Sequence, residues 1–192
     1  MTYQTYGLIL KKTDCGEANQ LFSIYTNSHG KILALGRGTK KVQSKLNGHL
    51  TQFAVVNLMI ASGKGDHIAG ADIFKNFSSI SQDLKKIVLS SFGLELVEKM
   101  TKQNEPDSKI FSLLARYLWV IDKNSFSDSD WYLIKKAFTV KLLTLLGIGP
   151  KAEIISDPKK LNNFLEQHLE AELQSEKFLN KIRPLTPHQF YE

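Results

Sequence analysis

The sequence predicts a two-domain β + α protein, with a five-stranded barrel over residues 1–78 and an α-helical domain over residues 79–192. Three observations predict it. Residues 1–75 break into five short apolar runs separated by turn residues. Near Ser79 the apolar spacing changes from strand-like to helix-like. One long excursion, punctuated by glycines, parts the third run from the fourth, as in a small sheet that closes on itself and loses its edges.

Taken in order, Tyr6-Gly7-Leu8-Ile9-Leu10 is a first strand rich in β formers, and Asp14-Cys15-Gly16-Glu17 is a polar turn. Leu21-Phe22-Ser23-Ile24-Tyr25-Thr26 is a second strand. Asn27-Ser28-His29-Gly30 turns the chain into a third over residues 31–36, returning antiparallel. Phe53-Ala54-Val55-Val56-Asn57-Leu58-Met59-Ile60 is the clearest strand. After Gly63-Lys64-Gly65-Asp66, residues 67–74 complete a set expected to be antiparallel throughout. Ser81-Gln82-Asp83 then caps a helix through Leu84, Ile87, Val88, Leu94, Leu96, Val97 and Met100, which Glu105-Pro106-Asp107 breaks. A second helix carries Ile110, Leu114, Leu118 and Ile121. A third starts after Ser127-Asp128 and stops at Gly147-Ile148-Gly149-Pro150, glycine preceding proline as helix ends favour. Ser156-Asp157-Pro158 starts a fourth through Leu161, Phe164, Leu165, Leu169 and Leu173, and Arg183-Pro184 and Pro187 close a tail.

Composition narrows the function classes. No run approaches the roughly 20 apolar residues of a membrane span, and Met1-Thr2-Tyr3-Gln4 does not open a secretory leader. A single cysteine, Cys15, permits no internal disulfide and suits a reducing compartment, so a cytoplasmic location is expected. The net charge of +6 is concentrated early: residues 1–75 hold nine Lys or Arg against four Asp or Glu. From Gly30 to Leu50 there are Lys31, Arg37, Lys40, Lys41 and Lys45 and no carboxylate. Charge alone leaves two readings for this stretch, a polyanion site or a solvated loop.

The run Glu17-x-Asn19-Gln20-Leu21-Phe22-Ser23-Ile24-Tyr25-Thr26-x-x-x-Gly30-Lys31-Ile32, followed by Gly36-x-Gly38, Lys41, Ser44-Lys45-Leu46 and Leu50-x-x-Phe53, resembles the amino-terminal domain of bacterial RecO proteins. Leu142-Leu143-x-x-Leu146-Gly147-x-x-Pro150 resembles their helical part. The resemblance implies an OB-fold barrel ahead of helices, and a mediator of recombinational repair. It implies that such a protein binds and anneals single-stranded DNA, works with RecR, and helps load RecA on DNA coated by single-stranded-DNA-binding protein, whose acidic tail is a further expected partner. Many members carry a four-cysteine zinc site after the Gly-x-x-Pro corner. Here Ala152-Glu153-Ile154-Ile155 stands in its place and the chain looks shorter at that end, so no zinc and no other cofactor is expected.

With the barrel and the resemblance together, Arg37, Lys40, Lys41 and Lys45 are the candidate DNA-binding residues, with Lys31 and Lys64 as weaker ones. Glycines 36 and 38 would let the backbone approach a ligand or take positive φ. Phe22, Tyr25 and Phe53 are expected in the core rather than as stacking platforms; Tyr3 and Tyr6 stay undecided. Trp119 and Trp131 are expected in helix packing. Gly63-Lys64-Gly65 lacks the glycine spacing and the Ser/Thr of a phosphate-binding loop. His29, His49 and His67 have no companion ligands at metal spacing. Neither Asp14 with Glu17 nor Asp66 with Asp72 makes a nuclease-like carboxylate cluster, and Glu166, Glu170, Glu172 and Glu176 read as a solvated helix face, so no enzyme is expected. Two rival readings are a protein–protein adaptor whose basic loop takes an acidic peptide or subunit, and an RNA-binding barrel.

Overall fold

A computed structural model describes residues 1–169, 173–175 and 177–178; the 183–187 tail and Glu170, Glu172 and Glu176 lie outside the described residues. Five strands form a closed barrel in the order β1-β2-β3-β5-β4, the OB arrangement: β1 Thr2–Cys15, β2 Asn19–Thr26, β3 Gly30–Gly36, β4 Ala54–Ser62 and β5 Asp66–Asn76. β1 runs through the expected Asp14-Cys15 turn, which contracts to residues 16–18. It is long because it serves two neighbours. Its first half pairs with β4 (Thr2↔Ala61 to Leu8↔Val55), its second half with β2, and a register shift between Ile9 and Lys11 bends it from one to the other.

One expectation is corrected. The sheet is not antiparallel throughout, because β3 and β5 pair in parallel at Ala34↔Asp66 and Leu35↔His67. Five strands in a closed ring cannot alternate direction all the way round, so one parallel seam is unavoidable. The connection over residues 37–53 is the crossover that places it here.

Alternation along the strands sorts two cores. Ile9, Phe22, Ile24, Ile32, Val56, Leu58, Ile60 and Ile68 fill the barrel, while Leu8, Leu10, Tyr25 and Val55 point outward into the helices. That is why the β1 run Gly7–Leu10 is buried on both faces and reads as continuous rather than alternating. The helices are α1 Leu84–Met100, α2 Ser108–Lys123, α3 Asp128–Leu145, α4 Ala152–Ser156 and α5 Pro158–His168. Asp83, Asp107 and Asp157 cap α1, α2 and α5 through their carboxylates, and Asp130 accepts from Ser127 N and Oγ at the start of α3. The five-residue α4 was not anticipated. Leu173 is buried, but it lies beyond α5, which ends at His168; the segment after it is held to α1 by Glu95, which accepts from Gln174 N, Ser175 N and Ser175 Oγ.

The barrel is fastened to the helices through the β2–β3 turn. Gly30 sits at φ +66°, and a Cβ there would lie 2.3 Å from Glu105 O, so only glycine fits. Asn104 N donates to Lys31 O (2.9 Å), and Tyr25 Oη reaches Asp107 O (3.4 Å). Burial, with the Asp107 charge adding to it, pushes the Tyr25 phenol up to about 12.

Candidate nucleic-acid interface

The candidate residues part company in space. Lys31 is buried, and its Nζ donates to Glu98 O of α1 at 2.5 Å. Burial lowers its pKa, with Glu98 opposing. This cation belongs to the barrel–helix junction and is withdrawn from the candidate set.

The other five lie at the opposite pole of the barrel. The chain leaves β3 at Gly36, where a side chain would strike Phe22 and Thr39, so this glycine serves packing rather than ligand approach. Gly38 takes φ +66°, and its N–H donates to Asn19 Oδ1 (2.8 Å) while Lys40 N donates to Ala18 O (3.1 Å). Linked turns follow, from Lys41 N to Gly38 O and from Ser44 N to Lys41 O. The far end is pinned by Leu50, fully buried in the barrel core with Leu46 packed against that core, and by Lys12 Nζ donating to Leu50 O. The excursion is therefore anchored by hydrogen bonds to Ala18 and Asn19 at its near end and by apolar burial at its far end, with Lys40, Lys41 and Lys45 exposed along it and Val42 fully exposed at the tip.

Arg37 joins this loop to the β4–β5 hairpin that carries Lys64. Its Nη2 lies 2.9 Å from His67 Nε2, and His67 Nδ1 lies 2.9 Å from Gly65 O. A carbonyl only accepts and a guanidinium only donates, so the ring is fixed as the Nδ1–H tautomer. Lys64 is exposed at the hairpin tip.

Carboxylates are nearer than the linear sequence implies. Asp14 of β1 holds Lys40 Nζ at 2.7 Å, with their side chains 62% and 35% exposed. Lys40 first, then Gln20, keep the Asp14 carboxyl below its usual range. An exposed pair of this kind is weak, so a phosphate can displace it. Asp66 accepts from Ser62 Oγ (2.5 Å), and after burial it is the main cause of the raised Tyr3 phenol. Glu17 is exposed in the β1–β2 turn. Lys41 and Lys45 have no ion-pair partner among the described residues. Asp14, Asn19 and His67 organise the loop, and of these only Asn19 lies in the RecO-like run of residues, the other two carrying no local sequence signal of that part.

Phe22 and Tyr25 are in the core and Phe53 packs against it, as expected, whereas Trp119 is 41% exposed, contrary to expectation. The corner after α3 carries Ala152, Glu153, Ile154 and Ile155, a donor set without thiol or imidazole that does not fit zinc. Among the described residues no three His, Cys, Asp or Glu gather as metal ligands, and no helix is long and apolar enough to cross a membrane.

Residues 1–75 match the family profile "Recombination protein O N terminal", and residues 81–153 match "Recombination protein O C terminal". The chain belongs to the RecO family. It is 31% identical over 151 residues to the DNA repair protein RecO of Acaryochloris marina, covering 78% of this chain and 51% of that protein. It is 30% identical over 151 residues to that of Gloeothece citriformis (78% and 53%) and 28% over 152 residues to that of Pelotomaculum thermopropionicum (79% and 57%). It thus spans a little over half the length of these RecO relatives.

Proposed function

We propose that this chain binds single-stranded DNA at the Arg37–Leu50 pole of its barrel and acts as a mediator of recombinational DNA repair. The observation that carries the reading is the anchored loop. Backbone hydrogen bonds to Ala18 and Asn19 at one end and buried Leu50 at the other hold Lys41 and Lys45 in solvent, without carboxylate partners among the described residues, beside Arg37 and Lys64. Such a surface takes phosphates without reading sequence, and each phosphate neutralised releases counterions. Neutralising two strands at once lowers their repulsion while base edges stay open, which is the physical basis for annealing. RecR, single-stranded-DNA-binding protein with its acidic tail, and RecA are the partners that family membership puts forward. The chain acts by binding rather than catalysis.

An annealing assay tests the reading. Wild-type protein should accelerate pairing of two complementary dye-labelled oligonucleotides, and Arg37→Glu/Lys41→Glu should abolish most of the acceleration at unchanged thermal stability. Full acceleration by the double variant would refute the assignment to this pole.

A further inference from the structure

A second surface of the molecule has the chemistry of a base-stacking site. Between the outer face of the barrel and α2 lies a groove of about 570 Å³. Three aromatic side chains stand out along it: Phe74 65% exposed, Tyr6 41% and Trp119 41%. Phe74 is thrown outward by a bulge in β5, where pairing skips from Val55↔Lys75 to Val56↔Ile73. Its ring tilts against Tyr6 with centroids 4.8 Å apart. The charged residues lining the groove are Lys75 and Arg116, both cations. Lys75 Nζ stands 5.8 Å from the Phe77 ring and 5.9 Å from Trp119. One carboxylate, Asp72, shares a cross-strand row with Tyr6 through Asn57, so the cations outnumber it.

Exposed rings are costly in water and mark a partner surface. A cationic peptide would call for carboxylates, and none among the described residues lines the groove. Flat rings interleaved with cations fit bases and their phosphates.

We infer that Tyr6, Phe74 and Trp119 form a platform on which the bases of a single strand stack, with Lys75 and Arg116 holding the flanking phosphates. This rests on the single-stranded-DNA reading above and adds a second anchorage for the same strand. His67 and Phe74 lie seven residues apart on β5, roughly 23 Å at a strand's rise. A strand held at both places spans several nucleotides, within the site sizes of OB domains.

The test compares (dT)20 with an abasic strand of equal length by fluorescence anisotropy, using the full chain. Phe74→Ala and Trp119→Ala should each weaken binding of (dT)20 about tenfold, leaving abasic binding and the salt slope unchanged. Lys41→Glu/Lys45→Glu should weaken both ligands alike and flatten the slope. Thermal melts confirm folding, and Phe74→Ala carries the test if Trp119→Ala does not fold. Aromatic variants that bind (dT)20 as wild type does, with the wild-type slope intact, overturn the platform and leave the loop reading standing. No binding of either strand by wild type overturns both. Loss in these variants of an acidic, aromatic-ended peptide but not of DNA overturns the platform in favour of a peptide site.

Discussion

Lys31 and Lys41 sit ten residues apart in one basic stretch, yet they serve opposite poles of the barrel. Lys31 lies beside Gly30, where the chain presses on the helices, and its ammonium ends on a helix carbonyl. Lys41 follows Gly38, where the chain turns away from the barrel, and its ammonium ends in water. The same side chain is a fastener at one pole and, in the proposed function, a phosphate ligand at the other. What separates them is which end of β3 each follows, since that strand carries the chain from the helix side to the open side.

The largest expected effect strikes the fastened pole. Gly30→Ala forces a positive-φ side chain into Glu105 O, and urea unfolding should show a loss of about 2–4 kcal/mol. Next, Lys31→Met strands the Glu98 carbonyl and should cost about 1.5–3 kcal/mol while leaving the salt dependence of DNA binding untouched. A change in that dependence would erase the division between the poles.

Asp122 sharpens the fastened side further, because it ties α2 to the start of the helical region. Its carboxylate accepts from Ser79 N (2.9 Å) and pairs with Lys123 (3.0 Å), and Lys86 Nζ donates to Ser79 Oγ (3.1 Å) and to the Asp122 carbonyl (3.2 Å). Burial, the largest single effect, raises its pKa, but the bonds from Lys123 and Ser79 together outweigh it and leave it lowered. A depressed folded pKa gives stability that is present above the unfolded value near 3.9 and lost as pH falls through the folded one. Asp122→Asn should therefore cost about 1–2 kcal/mol at pH 7, and the gap to wild type should narrow as pH falls through the lowered folded pKa, as read from urea midpoints along an acid titration. The smallest effect belongs to the open pole. Asp14→Asn releases Lys40 and should tighten DNA binding by at most about fivefold, seen by anisotropy; weaker binding would make Asp14 part of the site's architecture.

Much of the barrel was legible, because apolar runs bounded by Gly16, Gly30 and Gly63–Gly65 have few readings other than strands. The parallel β3–β5 seam followed from the odd strand count, although spacing along the chain carries no trace of it. Lys31 was misread and the ion pair of Lys40 was not foreseen for a common reason: their partners, Glu98 and Asp14, are 67 and 26 residues away and are set by packing. Trp119 was misplaced because its α2 neighbours Tyr117, Leu118 and Ile121 supply the buried face, and a periodic pattern does not say which aromatic closes the stripe. The capping aspartates Asp83 and Asp157 were readable, since they act within three residues.

The most direct measurement of the central claim is the slope of log affinity against log salt for a labelled (dT)20. Wild type should show a steep negative slope that Lys31→Met preserves. Lys41→Glu/Lys45→Glu should flatten it by about 1.4, or roughly 0.7 for each phosphate contact removed. Equal slopes for wild type and the double variant, or a flattened slope for Lys31→Met, would contradict the division of the barrel into a fastened pole and a DNA-binding one.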